Sequence, residues 1–276
     1  FFFFKQKTAY EIPKREWSSD VCSSDLVKPT LLRGCFEVEE GSIVRTDLFV
    51  GGELAIQDLA SQMIPALLDV RPGQRVLDLC AAPGNKTSLL ALAAGRKGVV
   101  IAGDLHAHRL QRWAPASSSG HSAPIHRLAL DGSQALPFRG PFDRVLVDAP
   151  CSGTGTLRRN PEIKWRLKPE NITELARLQG SLLNQAATAV APGGRLVYST
   201  CSYEMEENQQ VVQAFLDAHP AFRLVPLRSE AARLRKLFTH PQEPLVEELL
   251  GGEFLTTCPE QHNSDGFFAT ILQHKD

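Results

Sequence analysis

The sequence predicts an α/β fold built on a doubly wound, mostly parallel sheet. From Val76 onward, short apolar runs alternate with helical patterns, which is typical of successive strand–helix–strand units. The first apolar run ends in a turn of small residues and proline, and aspartates follow several of the runs. Ligands bind to such sheets at the carboxyl ends of the strands, so we expect the functional residues there.

The predicted elements follow one another closely along the chain. Helices are predicted at 87–94, 171–190 and 206–217. Composition predicts a flexible loop around Pro115 and a loop-rich stretch over 229–265. Seven runs are predicted to be strands: RVLDLCA (75–81), GVVIAGD (98–104), IHRLAL (125–130), FDRVLVDAP (142–150), GRLVYSTCS (194–202), FRLVPL (222–227) and GFFATILQ (266–273).

The start of the chain differs from the rest. It opens on four phenylalanines rather than Met, and residues 1–26 show no helical or strand periodicity. The segment resembles the translated adapter tail found at the ends of sequencing contigs, so we expect it to be non-native or disordered. We predict an N-terminal extension over 27–70, with a helix in AIQDLASQMIPALLDV (55–70), and the main domain over 71–276.

Bulk composition narrows the class of protein. The chain has 276 residues, of which 43% are hydrophobic and 22% charged, as in ordinary globular proteins. No stretch approaches the roughly 18 uncharged apolar residues of a membrane span. The net charge of -1 means that any contact with nucleic acid must come from a local basic patch. The six cysteines lack CxxC or zinc-like spacing, so we expect reduced thiols in a cytoplasm and no metal.

The turn after the first predicted strand is a candidate ligand site. Its residues, Asp78 to Thr87 (DLCAAPGNKT), allow the backbone to approach a ligand closely. The helix that follows offers free N–H groups to an anion such as a carboxylate, and Lys86 adds a cation. The spacing matches neither the P-loop nor the dinucleotide-binding glycine motif.

Two aspartates extend this candidate site. Asp104 follows the second predicted strand, where an acid can accept hydrogen bonds from ribose hydroxyls. Asp131 follows the third strand and is placed to face an adenine amine. Each aspartate alone is also compatible with a cap or turn. Together they indicate a nucleoside, and the missing phosphate loop favours S-adenosylmethionine over a dinucleotide.

Two cysteines follow neighbouring strands. Cys151 lies in DAPC after the fourth predicted strand, and Cys201 lies in STCS after the fifth. Because these strand ends meet at one edge of the sheet, we expect both thiols to face a single pocket. A buried cysteine can also be a small apolar filler, which is the interpretation we give to Cys35 and Cys258.

A basic stretch follows Cys151. This composition suits contact with phosphates and stacking on a base, although a solvated basic surface would have the same composition. The candidate residues for RNA contact are Arg158, Arg159, Lys164, Trp165 and Arg166, with Lys168 close by.

Several ordered motifs resemble one enzyme family. DLCAAPGNKT, DAPCSGTGTLRRNPEIKWR and YSTCSYEMEEN resemble the signature segments of the Sun-type RNA cytosine-5 methyltransferases, and AIQDLASQ and HNSDGFF resemble further segments. The resemblance covers about residues 27–273 and is nearest to the RsmB-like bacterial branch. It implies a seven-stranded Rossmann-like methyltransferase sheet, methylation of cytosine in RNA and a 16S ribosomal RNA substrate. It also implies that 27–70 retains part of a small RNA-binding subdomain.

The resemblance also implies roles for individual residues. Cys201 is implied to add to carbon 6 of the base, Cys151 to assist release, and Asp148 to hold or protonate the ring at nitrogen 3. Where the family has a second glycine, this chain has Asn85, a residue that tolerates positive φ well. The residues implied to bind S-adenosylmethionine are Cys80, Ala81, Ala82, Pro83, Gly84, Asn85, Lys86, Asp104, Asp131 and Asp148.

Two alternatives remain open at this point. A DNA cytosine-5 methyltransferase would use Pro150-Cys151 as its nucleophile motif and would not need Cys201. A catalytically weakened RNA-binding relative would keep the fold, and the substitution at Asn85 is the one feature in its favour. We otherwise expect a monomer that binds RNA, S-adenosylmethionine and no membrane.

Overall fold

The computed structural model describes residues 2–6, 27–38, 43–44, 46–50, 54–111 and 121–276. The strands are β1 (Phe2–Gln6), β2 (Val27–Pro29), β3 (Cys35–Val38), β4 (Leu54–Ile56), β5 (Arg75–Asp78), β6 (Val99–Asp104), β7 (Ile125–Ala129), β8 (Phe142–Asp148), β9 (Val190–Thr200), β10 (Phe222–Val225), β11 (Leu255–Thr257) and β12 (Phe267–His274). The helices are α1 (Asp47–Val50), α2 (Leu59–Leu67), α3 (Asn85–Ala94), α4 (Ala107–Gln111), α5 (Ile163–Arg166), α6 (Pro169–Thr188), α7 (Gln209–Ala218), α8 (Leu227–Leu234), α9 (Pro244–Leu250) and α10 (Pro259–His262).

The main sheet has the strand order β10-β12-β9-β8-β5-β6-β7, with β11 paired to β12. Strands β5 to β9 are parallel, whereas β12 is antiparallel to β9 and also pairs antiparallel with β10 and β11. The predicted doubly wound α/β fold is therefore confirmed, and each of the seven predicted strands is present. The count of seven is wrong by one, because the short strand β11 lies in the stretch predicted to be loop.

The central strands separate two hydrophobic cores. On β8, Leu146 packs into one core, whereas Val145 and Val147 pack into the other. On β9, Val197 packs into the same core as Leu146, and Tyr198 packs into the other. This alternation is the expected result of a period of two residues in a strand buried on both faces. Helices α2 and α3 cover the first core, and α6 and α7 cover the second.

The stretch 229–265 contains more regular structure than its composition predicts. Helices α8 and α9 each bury one apolar stripe: Leu227, Ala231 and Leu234 in α8, and Val246, Leu249 and Leu250 in α9. These side chains recur at the three- and four-residue spacing of a helix face. Charged residues between them conceal the pattern in the sequence, so the loop prediction is wrong here. The predicted loop around Pro115 lies outside the described residues.

Strands β2, β3 and β4 of the N-terminal extension form a small sheet with β1, in the order β2-β3-β1-β4. Strand β1 pairs in parallel with both β3 and β4, although residues 1–26 show no strand periodicity. Residues 1 and 7–26 lie outside the described part of the chain. The predicted helix over 55–70 is shorter than expected, because Leu54–Ile56 forms β4 and the Asp58 side chain caps α2 by accepting from the Ala60 amide.

Candidate active site

In the turn between β5 and α3, the backbone adopts the left-handed conformation at Gly84. Gly84 has φ 101° and is the N-cap of α3, with no side-chain cap. A residue with a Cβ is strained at this φ, which explains the glycine. The uncapped first turn of α3 leaves N–H groups available to an anion. The predicted turn between the first strand and the helix is therefore present, and its role in ligand binding stays a prediction.

Asn85 is not in the conformation considered from the sequence. It is the first residue of α3, and the described residues other than glycine with positive φ are Asp69 and Asn263. The Asn85 amide donates to the carbonyl oxygen of Ile56 at 3.1 Å and so links the turn to β4. Tolerance of positive φ is therefore not needed at Asn85, and this position imposes no requirement for a second glycine.

Asp104 and Asp131 lie on neighbouring strand ends but differ in their environments. Asp104 is buried, and its carboxylate accepts from the amides of Ala82 at 3.0 Å and His106 at 2.9 Å. Asp131 is exposed and accepts from the amide and hydroxyl of Ser133, which lower the pKa of its carboxyl. Asp104 thus helps to shape the turn after β5, whereas the Asp131 carboxylate lies at the surface.

Lys86 and Asp148 form the charged centre of the site. Lys86 Nζ lies 2.7 Å from Asp148 Oδ2, and both side chains are largely buried. The Ser199 hydroxyl donates to Asp148 Oδ1 at 2.7 Å and fixes the other oxygen. Lys86 also lies 5.4 Å from the centre of the Phe267 ring. Asp148 can therefore present a fixed carboxylate beside a cation, as a base-holding residue requires.

Asp78 lies below this centre at the end of β5. It is fully buried, and its Oδ2 accepts from the Thr87 hydroxyl at 2.7 Å. The pKa of the Asp78 carboxyl is raised to about 7, chiefly by burial and also by the nearby charge of Asp148, against the lowering effect of the Thr87 hydrogen bond. The sequence motif contains Asp78, but only its burial reveals that its charge changes near neutral pH.

The two predicted cysteines are in contact. Cys151 Sγ lies 3.4 Å from Cys201 Sγ, and the Cys201 amide donates to Cys151 Sγ at 3.3 Å. The hydrogen bond from Cys151 lowers the pKa of the Cys201 thiol, and Lys86 lowers it as well. The same hydrogen bond, followed by burial, raises the pKa of the Cys151 thiol well above its ordinary value. Cys201 is therefore the better thiolate of the pair.

The cysteines border two adjoining cavities rather than the single predicted pocket. Cys201 lines an inner cavity of about 260 Å³ together with Lys86, Asp148 and residues 80–83. Cys151 lines an outer groove of about 510 Å³ with Arg166 and one face of α6. The strand ends bring both thiols to one edge as predicted, but the sulfur–sulfur contact forms part of the boundary between the two spaces.

Arg159 does not belong to an open basic patch. Its guanidinium forms ion pairs with Asp265 and, at 3.8 Å, with Asp58, and both carboxylates are buried. Asp58 also accepts from the Ser264 hydroxyl and the Asp265 amide. Arg159 thus joins α2, the segment before β12 and the loop after Cys151. The motifs AIQDLASQ and HNSDGFF contain the two acids, but the sequence alone assigned them no role.

The remaining basic residues lie on the outside. Trp165 is 81% exposed, and Lys164 Nζ lies 5.0 Å from the centre of its ring. Arg158 is exposed and contacts Asn263, and Arg166 borders the groove at Cys151. All five residues predicted to contact RNA are exposed, but Arg159 also lines the inner cavity and is paired with two buried acids.

A network behind the cysteines escaped the sequence analysis. Buried Glu207 accepts hydrogen bonds from residues that directly follow both cysteines, Ser152 and Ser202. The YSTCSYEMEEN motif includes Glu207, yet an acid after a strand is more often a helix cap.

Across the described residues, no group of three His, Cys, Asp or Glu side chains could hold a metal ion. No helix within the same ranges has the length and apolarity to cross a membrane.

Comparison with known proteins agrees with the motifs. The family model of the 16S rRNA methyltransferases RsmB/F matches residues 65–273. The chain belongs to this family. The match includes both cysteines, Lys86 and Asp148, and it confirms the resemblance found in the sequence.

Individual members of the family are also similar. The chain is 36% identical over 253 residues to a probable ribosomal RNA small subunit methyltransferase B of Bacillus subtilis, covering 91% of this chain and 54% of that protein. It is 40% identical over 194 residues to ribosomal RNA small subunit methyltransferase B of Yersinia pseudotuberculosis, covering 70% and 45%. The chain thus spans about half the length of these curated relatives.

A solved structure shows the same fold. The crystal structure of a methyltransferase homologue from Pyrococcus horikoshii is 31% identical and superposes with a TM-score of 0.67. The match covers 84% of this chain and 72% of the other. The main sheet is therefore the Rossmann-like methyltransferase sheet that the motifs imply.

Proposed function

We propose that this protein transfers a methyl group from S-adenosylmethionine to carbon 5 of a cytosine in RNA, through a covalent bond between Cys201 and the base. The observation that carries the proposal is the pair of thiols 3.4 Å apart beside the Lys86–Asp148 ion pair. One thiol has a lowered pKa and the other a raised pKa, as a nucleophile and a proton carrier require. The relatives named for ribosomal RNA small subunit methylation support 16S ribosomal RNA as substrate.

The residues after β5 fit S-adenosylmethionine. The uncapped first turn of α3 suits a carboxylate, and Ala81, Ala82 and Pro83 line the inner cavity with small or rigid side chains. Asp104 and Asp131 supply carboxylates at the next two strand ends. We propose that these residues, with Cys80, Gly84, Asn85, Lys86 and Asp148, hold the cofactor. When bound, S-adenosylmethionine supplies the methyl group that carbon 5 takes.

The side chains around the thiols account for the chemistry on the base. The Cys201 thiolate adds to carbon 6, and the electron pair displaced into the ring makes carbon 5 nucleophilic. As the thiolate adds, nitrogen 3 takes up a proton from water, and the resulting N–H donates to the Asp148 carboxylate, which Lys86 and Ser199 hold in place. After methylation, carbon 5 loses its proton, the bond from sulfur to carbon 6 breaks, and Cys201 leaves as a thiolate. Water takes up that proton, and the Cys151 thiol, in contact with Cys201, donates its hydrogen bond to the departing sulfur and so assists its release.

The surface outside the thiols suits a single-stranded region of RNA. A base inside a helix cannot reach Cys201 without leaving its stack. Trp165 is exposed beside Lys164, which offers a ring for stacking next to a cation for phosphate. We include Arg158 and Arg166 in this contact surface, whereas Arg159 is engaged by two buried acids.

Transfer of tritium from methyl-labelled S-adenosylmethionine tests the proposal. Unmodified 16S ribosomal RNA and DNA of the same sequence are incubated separately with the protein, digested and resolved into nucleosides. We expect label in 5-methylcytidine from the RNA alone. Label in 5-methyldeoxycytidine would instead identify a DNA enzyme. RNA binding without any transfer would indicate a relative with weakened catalysis, and label in another RNA nucleoside would overturn the assignment of carbon 5.

A further inference from the structure

Glu207 occupies an unusual position for a carboxylate. Its side chain is fully buried, directly behind the two cysteines. Within the described ranges, no lysine or arginine forms an ion pair with it. A buried carboxylate without a cation is costly unless hydrogen bonds satisfy its oxygens. Glu207 must therefore be held by neutral donors, and the identity of those donors indicates its role.

The donors come from both cysteine segments. Glu207 Oε1 accepts from the Ser152 amide at 2.9 Å and from Gln179 Nε2 at 2.8 Å. Its Oε2 accepts from the hydroxyl of Ser152 at 2.5 Å and from that of Ser202 at 2.6 Å. Ser152 directly follows Cys151, and Ser202 directly follows Cys201. One carboxylate therefore holds both segments together.

Neighbouring contacts anchor this bridge. Gln179 on α6 also donates to the carbonyl oxygen of Pro150, the residue before Cys151. The Tyr198 hydroxyl donates to the Glu207 carbonyl oxygen, and Asn208 donates to the Ser202 carbonyl oxygen. The carboxylate is thus fixed from α6, from β9 and from its own turn. Its position sets the separation of the two segments.

We propose that Glu207 is a positioning residue that sets the distance between the Cys151 and Cys201 sulfurs and keeps Cys151 in its thiol form. The inference rests on the proposed function of the two cysteines. Geometry supports the first part, because the Glu207 bridge joins residues adjacent to both sulfurs. Charge supports the second part, because the nearby carboxylate raises the pKa of the Cys151 thiol in addition to the contact with Cys201 and burial.

The two parts have a joint consequence for the reaction. Cys151 donates to Cys201 only while it carries its proton, and this hydrogen bond lowers the pKa of Cys201. The charged groups that act on the pair are Lys86 and Asp148 at Cys201 and Glu207 at Cys151. Tyr198, whose phenol pKa burial raises well above its ordinary value, lies close to Cys151 and Glu207. Glu207 therefore acts on Cys201 through Cys151, adding to the larger effects of the contact between the thiols and of burial.

Two substitutions separate position from charge. Glu207→Gln removes the charge but can keep the bridge, since the amide oxygen accepts from the Ser152 amide and the amide nitrogen donates to the two hydroxyls. Glu207→Ala removes both the negative charge and the hydrogen bonds that form the bridge. Glu206→Gln is the matched control, because Glu206 is exposed. The rate of alkylation of each cysteine by iodoacetamide is measured against pH on the full chain by peptide mass spectrometry, without RNA.

We expect Glu207→Gln to move the alkylation profile of Cys151 to lower pH and to lower kcat less than Glu207→Ala does, because the bridge can be kept. Glu207→Ala should lower kcat roughly 10- to 100-fold, as small misplacements of reacting groups do, with the Kd for S-adenosylmethionine unchanged. If Glu207→Ala does not fold, Ser202→Ala, which removes one link of the bridge, should lower kcat in the same direction. Unchanged profiles in Glu207→Gln together with wild-type kcat in the truncated variants would overturn the proposal. Because alkylation needs no RNA, failure of the proposed methyl transfer is recognised separately.

Discussion

The Sγ atoms of Cys151 and Cys201 lie 3.4 Å apart, and this one contact moves the pKa values of the two thiols in opposite directions. With Cys151 as the donor and Cys201 as the acceptor, the negative charge is favoured on Cys201. Two otherwise similar cysteines thereby acquire different chemical roles. Lys86 strengthens the difference, because its cation also favours the charged form of Cys201.

Replacing Lys86 with methionine should weaken Cys201 as a nucleophile. The substitution removes the cation that lowers the pKa of Cys201 and leaves the Asp148 carboxylate without its partner at 2.7 Å. We expect slower alkylation of Cys201 at neutral pH and a pH profile moved upward. Peptide-resolved alkylation with iodoacetamide measures both. Lys97→Met, at an exposed position, is the control, and equal Cys201 rates in the two variants would contradict the assigned role.

Arg159 and Arg158 are neighbours that should respond differently to truncation. Arg159→Ala leaves Asp58 and Asp265 buried without their cation, so we expect a loss of at least about 2 kcal/mol in the free energy of unfolding. Arg158→Ala removes an exposed side chain and should change stability by less than about 0.5 kcal/mol. Urea denaturation measures both. A stability loss in Arg158→Ala equal to that in Arg159→Ala would refute the structural role of Arg159.

Asp78 should make stability depend on pH in an unusual direction. The folded carboxyl keeps its proton up to about pH 7, whereas its ordinary pKa is 3.8, so the folded state binds more protons between these values. The protonated Asp78 carboxyl therefore adds to the free energy of unfolding at a pH below 3.8. This stabilisation is lost as the pH rises from 3.8 to about 7, at up to about 1.4 kcal/mol per pH unit.

Asp78→Asn tests this pH dependence, because the variant keeps an acceptor for the Thr87 hydroxyl and cannot ionise. We expect its free energy of unfolding to lack that slope, measured by urea denaturation from pH 4 to pH 8. Asp217→Asn, at an exposed site, should retain the wild-type slope. The same slope in Asp78→Asn as in the wild type would show that another group titrates.

Trp165 provides the test of the RNA-contact surface. Its ring is 81% exposed, so Trp165→Ala should leave the fold intact while removing a stacking platform. Loss of base stacking costs about 1–3 kcal/mol, which corresponds to roughly a 5- to 150-fold weaker Kd. Filter binding to unmodified 16S ribosomal RNA measures the Kd of the variant and of the wild type. Leu92→Ala removes another exposed apolar side chain, on α3, and a similar loss of affinity there would argue against a specific contact.

The alternation of apolar runs was sufficient to predict the main sheet, because strands such as β6 and β8 are apolar along most of their length. It failed for β11 and for α8 and α9, where short apolar stripes lie among charged residues. The meeting of Cys151, Cys201 and Asp148 at one edge of the sheet was predictable from their positions at strand ends. Glu207, Asp58 and Asp265 were not, because their importance arises from tertiary contacts between segments far apart in sequence.

The central claim is that Cys201 forms the covalent bond and Cys151 assists its release. The most direct measurement is a trapping assay with S-adenosylmethionine and unmodified 16S ribosomal RNA transcribed in vitro, resolved on a denaturing gel. We predict that Cys151→Ala accumulates a covalent protein–RNA adduct and that Cys201→Ala does not. Turnover by Cys201→Ala, or an adduct that persists when Cys201 is absent, would contradict the account.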